Sequence, residues 1–124
     1  MPGRTIRFGV TLPQFGADWA EVKDIAALAD EVGWDSVWLA DHFFGVGSGD
    51  PLEAWTEMSA VAAITRRVEL GFLVLCNSYR PPALLAKMAA TLTRAPPTII
   101  RVCPWRKRPR NARDTPWRDG SSSA

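Results

Sequence analysis

Apolar residues along the first ninety positions follow two different periods. Three short apolar runs, bounded by turn residues, have the length of strands and cover 6–12, 34–41 and 68–76. Elsewhere apolar residues recur every three or four positions, as on one face of a helix, over 18–32, 51–66 and 82–92. This β-α-β-α-β-α order with short connections predicts a parallel sheet with right-handed crossovers.

Capping signals mark the ends of the first two helices. Asp18 with Glu21 three residues later is a capping box, and Gly33 stands where a helix end favours a left-handed residue. Asp50 and Glu53 form a second box around a proline at the first helical position. The second helix is therefore predicted to begin at residue 51.

Three β/α units can open either a doubly wound sheet or an eight-stranded barrel. A Rossmann domain would carry a glycine-rich fingerprint after its first strand. This chain has Pro13-Gln14-Phe15-Gly16 there, which argues mildly against that fold.

The pattern changes after Leu92. Residues 93–124 hold five of the ten prolines, and eight Lys or Arg against two Asp or Glu; residues 1–92 hold seven against eleven. One β-prone patch, 98–103, interrupts a tail in which no period is sustained. We therefore divide the chain into a folded part, 1–92, and a basic, Pro-rich tail, 93–124, that we expect to be disordered or translated out of frame.

Composition narrows the class of protein. A hydrophobic content of 47% is enough for a globular core, and the longest apolar run, 70–76, is too short to cross a bilayer. The residues after Met1 do not resemble a signal peptide. The two cysteines, Cys76 and Cys103, have no disulfide or metal-site spacing. We expect a cytoplasmic protein without a metal site and without membrane contact.

Polar residues follow each predicted strand, at 11–14, 41–43 and 76–78. The carboxyl ends of parallel strands share one edge, so these loops should meet there. His42 is the one histidine of the sequence, and a histidine at such an edge can transfer a proton near neutral pH. From the residues alone, the favoured interpretation is structural: Asp41 caps a loop, and His42 is a packed loop residue.

Several stretches, in order over residues 5–92, together resemble the luciferase-like monooxygenase family, including its branch that uses the deazaflavin coenzyme F420. They are 8–13 (FGVTLP), 35–42 (DSVWLADH), 53–55 (EAW), 65–71 (TRRVELG) and 76–87 (CNSYRPPALLAK). The resemblance implies an α/β fold, the first three β/α units of a (β/α)8 TIM barrel. A whole barrel needs about 250 residues, so it also implies an incomplete barrel with a non-homologous C-terminal tail.

The resemblance also implies a cofactor site for F420 or FMN. In the family the pair matched by Asp41 and His42 lies beside the flavin or deazaflavin ring, and in the deazaflavin branch the histidine is catalytic. A bulge with a non-prolyl cis peptide would fall near Leu73 and Val74. Cys76 would contact the cofactor, with Asn77 beside it.

We therefore expect a truncated luciferase-like oxidoreductase, inactive by itself. Its parent activity would be hydride transfer or monooxygenation of a small organic substrate with a reduced flavin or deazaflavin. The family's phosphate-binding loops lie later in the barrel, so we expect weak cofactor binding or none. Two alternatives are a protein whose basic tail binds nucleic acid, which we disfavour, and a non-catalytic chain that associates with another barrel chain. Open sheet edges favour self-association or aggregation.

Overall fold

The structure is a computed structural model that describes residues 6–45, 49–94 and 100–102. Its strands are β1 (Gly9–Thr11), β2 (Ser36–Leu39), β3 (Glu69–Phe72) and β4 (Ile100–Val102). Its helices are α1 (Trp19–Val32), α2 (Ala54–Ile64) and α3 (Pro82–Leu92). The strands form one parallel sheet in the order β1-β2-β3-β4, as the β/α alternation predicts for the first three.

The two faces of the sheet differ in character. Alternate residues of β2 and β3 face a buried core, among them Val37, Leu39, Leu70 and Phe72. Trp55 from α2 stacks on Phe72, with ring centroids 4.9 Å apart. Since side chains alternate along a strand, the residues between these core positions lie on the opposite face.

The Trp38 indole lies on that opposite face, against the backbone of both neighbouring strands. Trp38 pairs with Thr11 on one side and Gly71 on the other, and a Cβ built on Gly71 would lie 2.4 Å from the Trp38 ring. A Cβ on Gly9 would lie 2.6 Å from the Trp38 indole nitrogen. Glycines on both flanking strands therefore let the indole lie against the backbone.

Helix α1 begins and ends as the sequence predicts. The Asp18 carboxylate accepts the Glu21 backbone N–H at 3.0 Å, the Glu21 side chain accepts the Asp18 N–H at 3.4 Å, and Gly33 is left-handed with φ of 84°. The predicted start of the second helix at residue 51 is wrong. Helix α2 begins at Ala54, and its N-cap is Glu53.

The late start of α2 has a local cause. Glu53 is extended, with φ of −65° and ψ of 117°, and its own carboxylate accepts the backbone N–H groups of Trp55 and Thr56. Asp50 lies too early to cap this helix, and its carboxylate instead accepts the Gly45 N–H at 3.5 Å. A glutamate therefore takes the place that the pattern assigned to an aspartate.

The third strand is shorter than the predicted run 68–76. Strand β3 ends at Phe72, the chain turns at Leu73 and Val74, and the peptide bond between these two residues is cis. A non-prolyl cis bond at this position is what the family resemblance implied. Strand β4 adds a fourth parallel strand within the β-prone patch 98–103. Of the predicted tail, residues 95–99 and 103–124 lie outside the described residues.

Asp30, near the end of α1, fastens that helix to the segment that enters β3. Its carboxylate accepts three consecutive backbone N–H groups, from Arg66 at 3.0 Å, Arg67 at 2.6 Å and Val68 at 2.8 Å. Burial pushes its pKa upward, but the three N–H donors and the Arg67 charge outweigh burial, and the pKa lies below its ordinary value.

A second carboxyl, that of Glu57 in α2, is buried and contacts the loop after β1. The Glu57 residue is 4% exposed, and one of its oxygens accepts the Gln14 side-chain amide at 3.5 Å. Among the described residues its other oxygen, Oε1, has no hydrogen-bond partner. Burial raises the pKa of Glu57 to about 7; the Gln14 amide opposes that rise, and the Glu53 charge adds to it.

Replacement of Asp30 by alanine should destabilise the fold by about 1–2 kcal/mol, because three backbone donors lose a charged acceptor. The control is Asp24→Ala on the same helix; Asp24 is exposed and ion-paired with Lys23 at 3.6 Å, so the change should stay within about 0.5 kcal/mol. Since the folded pKa of Asp30 is lowered, its contribution is present above the ordinary value of 3.8 and is lost as pH falls through the lower folded value. Urea unfolding at pH 7 and pH 3 measures both effects, and equal losses in the two variants would contradict the assignment.

Glu57 should make stability fall between pH 5 and pH 8. Its folded pKa is raised from 4.5 to about 7, so its contribution is fully present below pH 4.5 and is lost as pH rises through about 7. Glu57→Gln should remove that slope and stabilise the protein at pH 8 by about 1–3 kcal/mol. Chemical unfolding of both proteins across this pH range tests the sign.

The matched control for Glu57 is Glu31→Gln, which alters an exposed acid of α1. The slope should survive in that control. A slope that also survives in Glu57→Gln would assign the pH dependence to another group.

Candidate active site

The carboxyl ends of β1, β2 and β3 meet at one edge of the sheet, where hydrogen bonds continue beyond the strands. The Leu12 N–H donates to the Trp38 carbonyl at 2.9 Å, and the Leu73 N–H donates to the Leu39 carbonyl at 2.8 Å. The Asp41 N–H donates to the Val74 carbonyl at 3.2 Å. The loops after the strands are therefore tied together close to the sheet.

Gln14 extends the pairing of β1 with β2 through its side chain. Its amide oxygen accepts the Ala40 N–H at 2.5 Å, and its amide nitrogen donates to the Ala40 carbonyl at 2.9 Å. The side chain thus satisfies both backbone groups of the residue before Asp41, as a neighbouring strand would. Gln14 is buried, and it holds the end of β2 in place.

Asp41 is occupied by the protein itself. Its Oδ2 accepts the Cys76 backbone N–H at 3.0 Å and the Arg80 Nη1 at 2.7 Å, and its Oδ1 accepts the Arg80 Nη2 at 3.1 Å. The Asp41 side chain is 0% exposed. Its carboxylate therefore joins the end of β2 to the loop after β3.

Arg80 lies between two carboxylates. Besides its bidentate pair with Asp41, its Nη2 donates to Glu53, which caps α2, and its guanidinium lies 5.9 Å from the Trp55 ring centroid. The hydrogen bonds to Asp41 are the largest influence and raise the pKa of Arg80; burial opposes them, and Glu53 reinforces them. We call these three residues the Asp41–Arg80–Glu53 triad.

The triad also affects Glu53. Burial pushes the pKa of Glu53 upward, but donors outweigh burial and lower it: the Thr56 hydroxyl and N–H, each at 2.7 Å, and the Arg80 guanidinium. Glu53 therefore stays charged while it caps α2 and holds Arg80.

A cavity of about 280 Å³ lies beside the triad, between the loops after β2 and β3. It is lined by Asp41, His42, Val74, Leu75, Cys76, Asn77 and Tyr79. Five of the six residues that the family resemblance places at the cofactor therefore meet in one pocket. Leu73 does not; it lines a separate cavity on the opposite face of the sheet, together with Trp38.

Aromatic rings border the pocket. Tyr79 stacks on Phe43 with ring centroids 3.8 Å apart and an angle of 11° between the planes. His42 is exposed, and its ring centroid lies 6.0 Å from that of Phe15. Phe44 is 79% exposed and does not line the pocket. The pocket thus combines a flat aromatic border, an apolar wall and one exposed imidazole.

These residues fit one part of a flavin-type cofactor. The apolar wall of Val74 and Leu75 suits a planar ring, whereas no Lys or Arg side chain of the described residues lines the pocket to hold a phosphate. Arg80, which lies nearby, is committed to Asp41 and Glu53. Among the described residues, the pocket therefore has an apolar wall of a shape that suits a planar ring, and no Lys or Arg lines it.

Two further properties of the described residues bear on function. None of the three helices is both long and apolar enough to cross a membrane. Within the same residues, no three or more His, Cys, Asp or Glu side chains are grouped as metal ligands would be.

Sequence reasoning missed the residues that hold this site together. Arg80 lies within one of the stretches that resemble the family and Gln14 directly follows another, but nothing near either residue in sequence identifies its partner. The partners are 26 and 39 residues away, at Ala40 and Asp41. A usable signal was a cation in the loop after one strand and a carboxylate at the end of its neighbour.

Proteins of known function are similar to this chain in sequence. The chain is 38% identical over 93 residues to an F420-dependent glucose-6-phosphate dehydrogenase of Amycolatopsis mediterranei (strain U-32), which covers 71% of this chain and 27% of that protein. It is 41% identical over 90 residues to the protein of the same name from Nocardia farcinica (strain IFM 10152), covering 68% and 26%. The chain thus spans about a quarter of the length of these relatives.

Among solved structures, an F420-dependent secondary alcohol dehydrogenase in complex with an F420–acetone adduct superposes with a TM-score of 0.62 at 25% identity. The match covers 78% of this chain and 31% of that one. This likeness confirms an incomplete α/β barrel rather than a doubly wound sheet. The profile of the luciferase-like monooxygenase family matches residues 5–95, and the chain therefore belongs to that family.

Proposed function

We propose that this chain forms the ring-binding side of an F420-dependent oxidoreductase that transfers hydride to or from a small organic substrate. The observation that carries the proposal is the pocket in which His42, Val74, Cys76 and Asn77 meet beside the Tyr79–Phe43 stack. F420 is favoured over FMN because the relatives described above are named as F420-dependent enzymes.

The pocket residues have separate roles in this proposal. Val74, Leu75 and Cys76 would contact the ring, and Asn77 would donate or accept a hydrogen bond at its edge. A bound deazaflavin would supply the hydride acceptor or donor. The substrate would lie on the His42 side, since that imidazole is exposed at the pocket.

His42 would handle the proton. When hydride leaves the carbon of an alcohol, the hydroxyl must also lose a proton, and a neutral imidazole within hydrogen-bond reach can accept it. In the reverse direction an imidazolium would return the proton to the carbonyl oxygen. A sugar or a small secondary alcohol, as the names of the relatives suggest, would meet this requirement.

Titration of the ¹⁵N-labelled chain with F420 should shift the NMR signals of the Cys76 and Asn77 amides and of the His42 imidazole. The Kd should be weaker than about 1 μM, because no phosphate-binding side chain of the described residues lines the pocket. Cys76→Phe should abolish these shifts, since the larger side chain fills the cavity while the backbone N–H to Asp41 remains. Phe44→Ala is the control; it alters an exposed neighbour that does not line the pocket, and the shifts should persist.

Three outcomes would count against parts of the proposal. Shifts confined to residues outside the pocket at about 1 mM F420 would contradict the site. If FMN binds more tightly than F420, the proposed cofactor is wrong, but the proposed binding pocket still holds. A Kd of about 1 μM or tighter for either compound would overturn the expectation of weak affinity.

A further inference from the structure

We propose that Arg80 is a positioning residue for the pocket: through Asp41 it fixes the loop 76–80, which carries Asn77 and Tyr79, without contacting the ligand itself. The consequence for F420 binding rests on the function proposed above. The effect on the loop is a property of the chain alone and can be measured separately.

The geometry shows how one carboxylate can control the loop. Asp41 accepts the Cys76 backbone N–H at the first residue of the loop and the Arg80 guanidinium at the last. Both ends of a five-residue segment are therefore attached to one buried side chain. Inside the loop, the Tyr79 N–H donates to the Cys76 carbonyl at 3.4 Å.

Asp41 has little capacity left for a ligand. Its side chain is 0% exposed, and its two oxygens accept three donors from the protein. A role for Asp41 in ring binding would therefore be indirect, through the position of its neighbours. Direct contact is left to the other lining residues, above all the exposed His42.

The Arg80 side chain is in turn held by the start of helix α2. Glu53, which binds its Nη2, is the N-cap of α2 and bonds through its other oxygen to the Thr56 N–H and hydroxyl at 2.7 Å each. The Arg80 side chain is 9% exposed. A chain of charged hydrogen bonds thus runs from the start of α2 through Arg80 and Asp41 to the Cys76 amide.

Arginine is the side chain that this arrangement requires. Its planar fork offers two parallel N–H donors to the Asp41 oxygens and a further donor direction to Glu53. A lysine would keep the charge but present one ammonium without a fixed orientation. Arg80→Lys therefore removes the orientation of the loop while it retains the charge balance of the triad.

Amide hydrogen exchange of the full chain tests the effect on the loop. In Arg80→Lys the Cys76 amide should exchange at least about tenfold faster, measured relative to the Leu70 amide of β3. The reason is that losing a hydrogen bond to a charged group makes opening of the loop more than about tenfold more frequent. The control is Val61→Ala, a core change in α2 at a residue that is 0% exposed. It should speed exchange of both amides together, as a general loss of stability does.

Asp41→Asn provides a second variant should Arg80→Lys fold poorly. It keeps the shape of the side chain and loses the charge, and it should release the same loop amides. Because both residues act on one loop, the double variant should exchange no faster than the more severe single variant. Additive effects, or Cys76 and Leu70 amides that accelerate equally in Arg80→Lys, would overturn the proposal.

F420 titration provides the second readout. Arg80→Lys should weaken binding by about tenfold more than Val61→Ala does, since the loop that borders the ring loses a charge-assisted hydrogen bond. If wild-type chain shows no binding at the pocket, the proposed function fails and the exchange result still decides the role of Arg80. If F420 binds wild type and Arg80→Lys equally, the pocket survives and the positioning role toward the ligand is wrong.

Discussion

The buried pair of Asp41 and Arg80 is the interaction on which the pocket depends. Beyond the last ladder bond of a parallel sheet, backbone groups at the strand ends must find other partners or lose hydrogen bonds in a partly buried place. Here a carboxylate accepts one such N–H, at Cys76, and takes its counter-charge from the same loop. A buried ion pair is costly unless its hydrogen bonds are satisfied, and these are: Asp41 accepts three donors, and Arg80 reaches a second carboxylate at Glu53.

Carboxylates also accept backbone N–H groups near other strand ends of the sheet. Asp30 gathers three N–H groups before β3, and Asp35 accepts the Phe8 N–H at 2.7 Å where β1 and β2 begin. At the opposite edge of the sheet, Asp41 reaches across 35 residues to Cys76. Parallel strands are joined by long crossovers, so their ends have few local partners, and each of these carboxylates connects segments that are distant in sequence.

Local signals in the sequence were sufficient for part of this structure. The Asp18–Glu21 box and Gly33 determine α1 through contacts between near neighbours, and such contacts can be read from spacing. The start of α2 was misjudged because Glu53 could serve either as the fourth residue of a box or as the cap itself. In the structure Glu53 is the cap, because its carboxylate accepts the Trp55 and Thr56 N–H groups; Arg80, 27 residues away, binds the same carboxylate. Spacing within a helix cannot indicate such a contact.

The candidate site shows the same division. Family resemblance placed His42, Val74, Cys76 and Asn77 at one pocket, and the structure gathers them there. It did not identify Gln14, whose partner is the backbone of Ala40, because a backbone partner leaves no trace in residue type. It also grouped Asp41 with the cofactor contacts, although the Asp41 carboxylate is bound within the protein.

Asp41 and His42 are adjacent in the loop after β2, yet their side chains differ in burial. The Asp41 side chain is buried and holds Arg80 and the Cys76 N–H, whereas His42 is exposed. The same turn of chain therefore sends a carboxylate into the protein and an imidazole to the pocket. A pocket whose loop is fastened before a ligand arrives loses less conformational entropy on binding. Asp41 can thus favour binding through the order it imposes on Cys76 and Arg80, while the neighbouring His42 side chain stays exposed at the pocket.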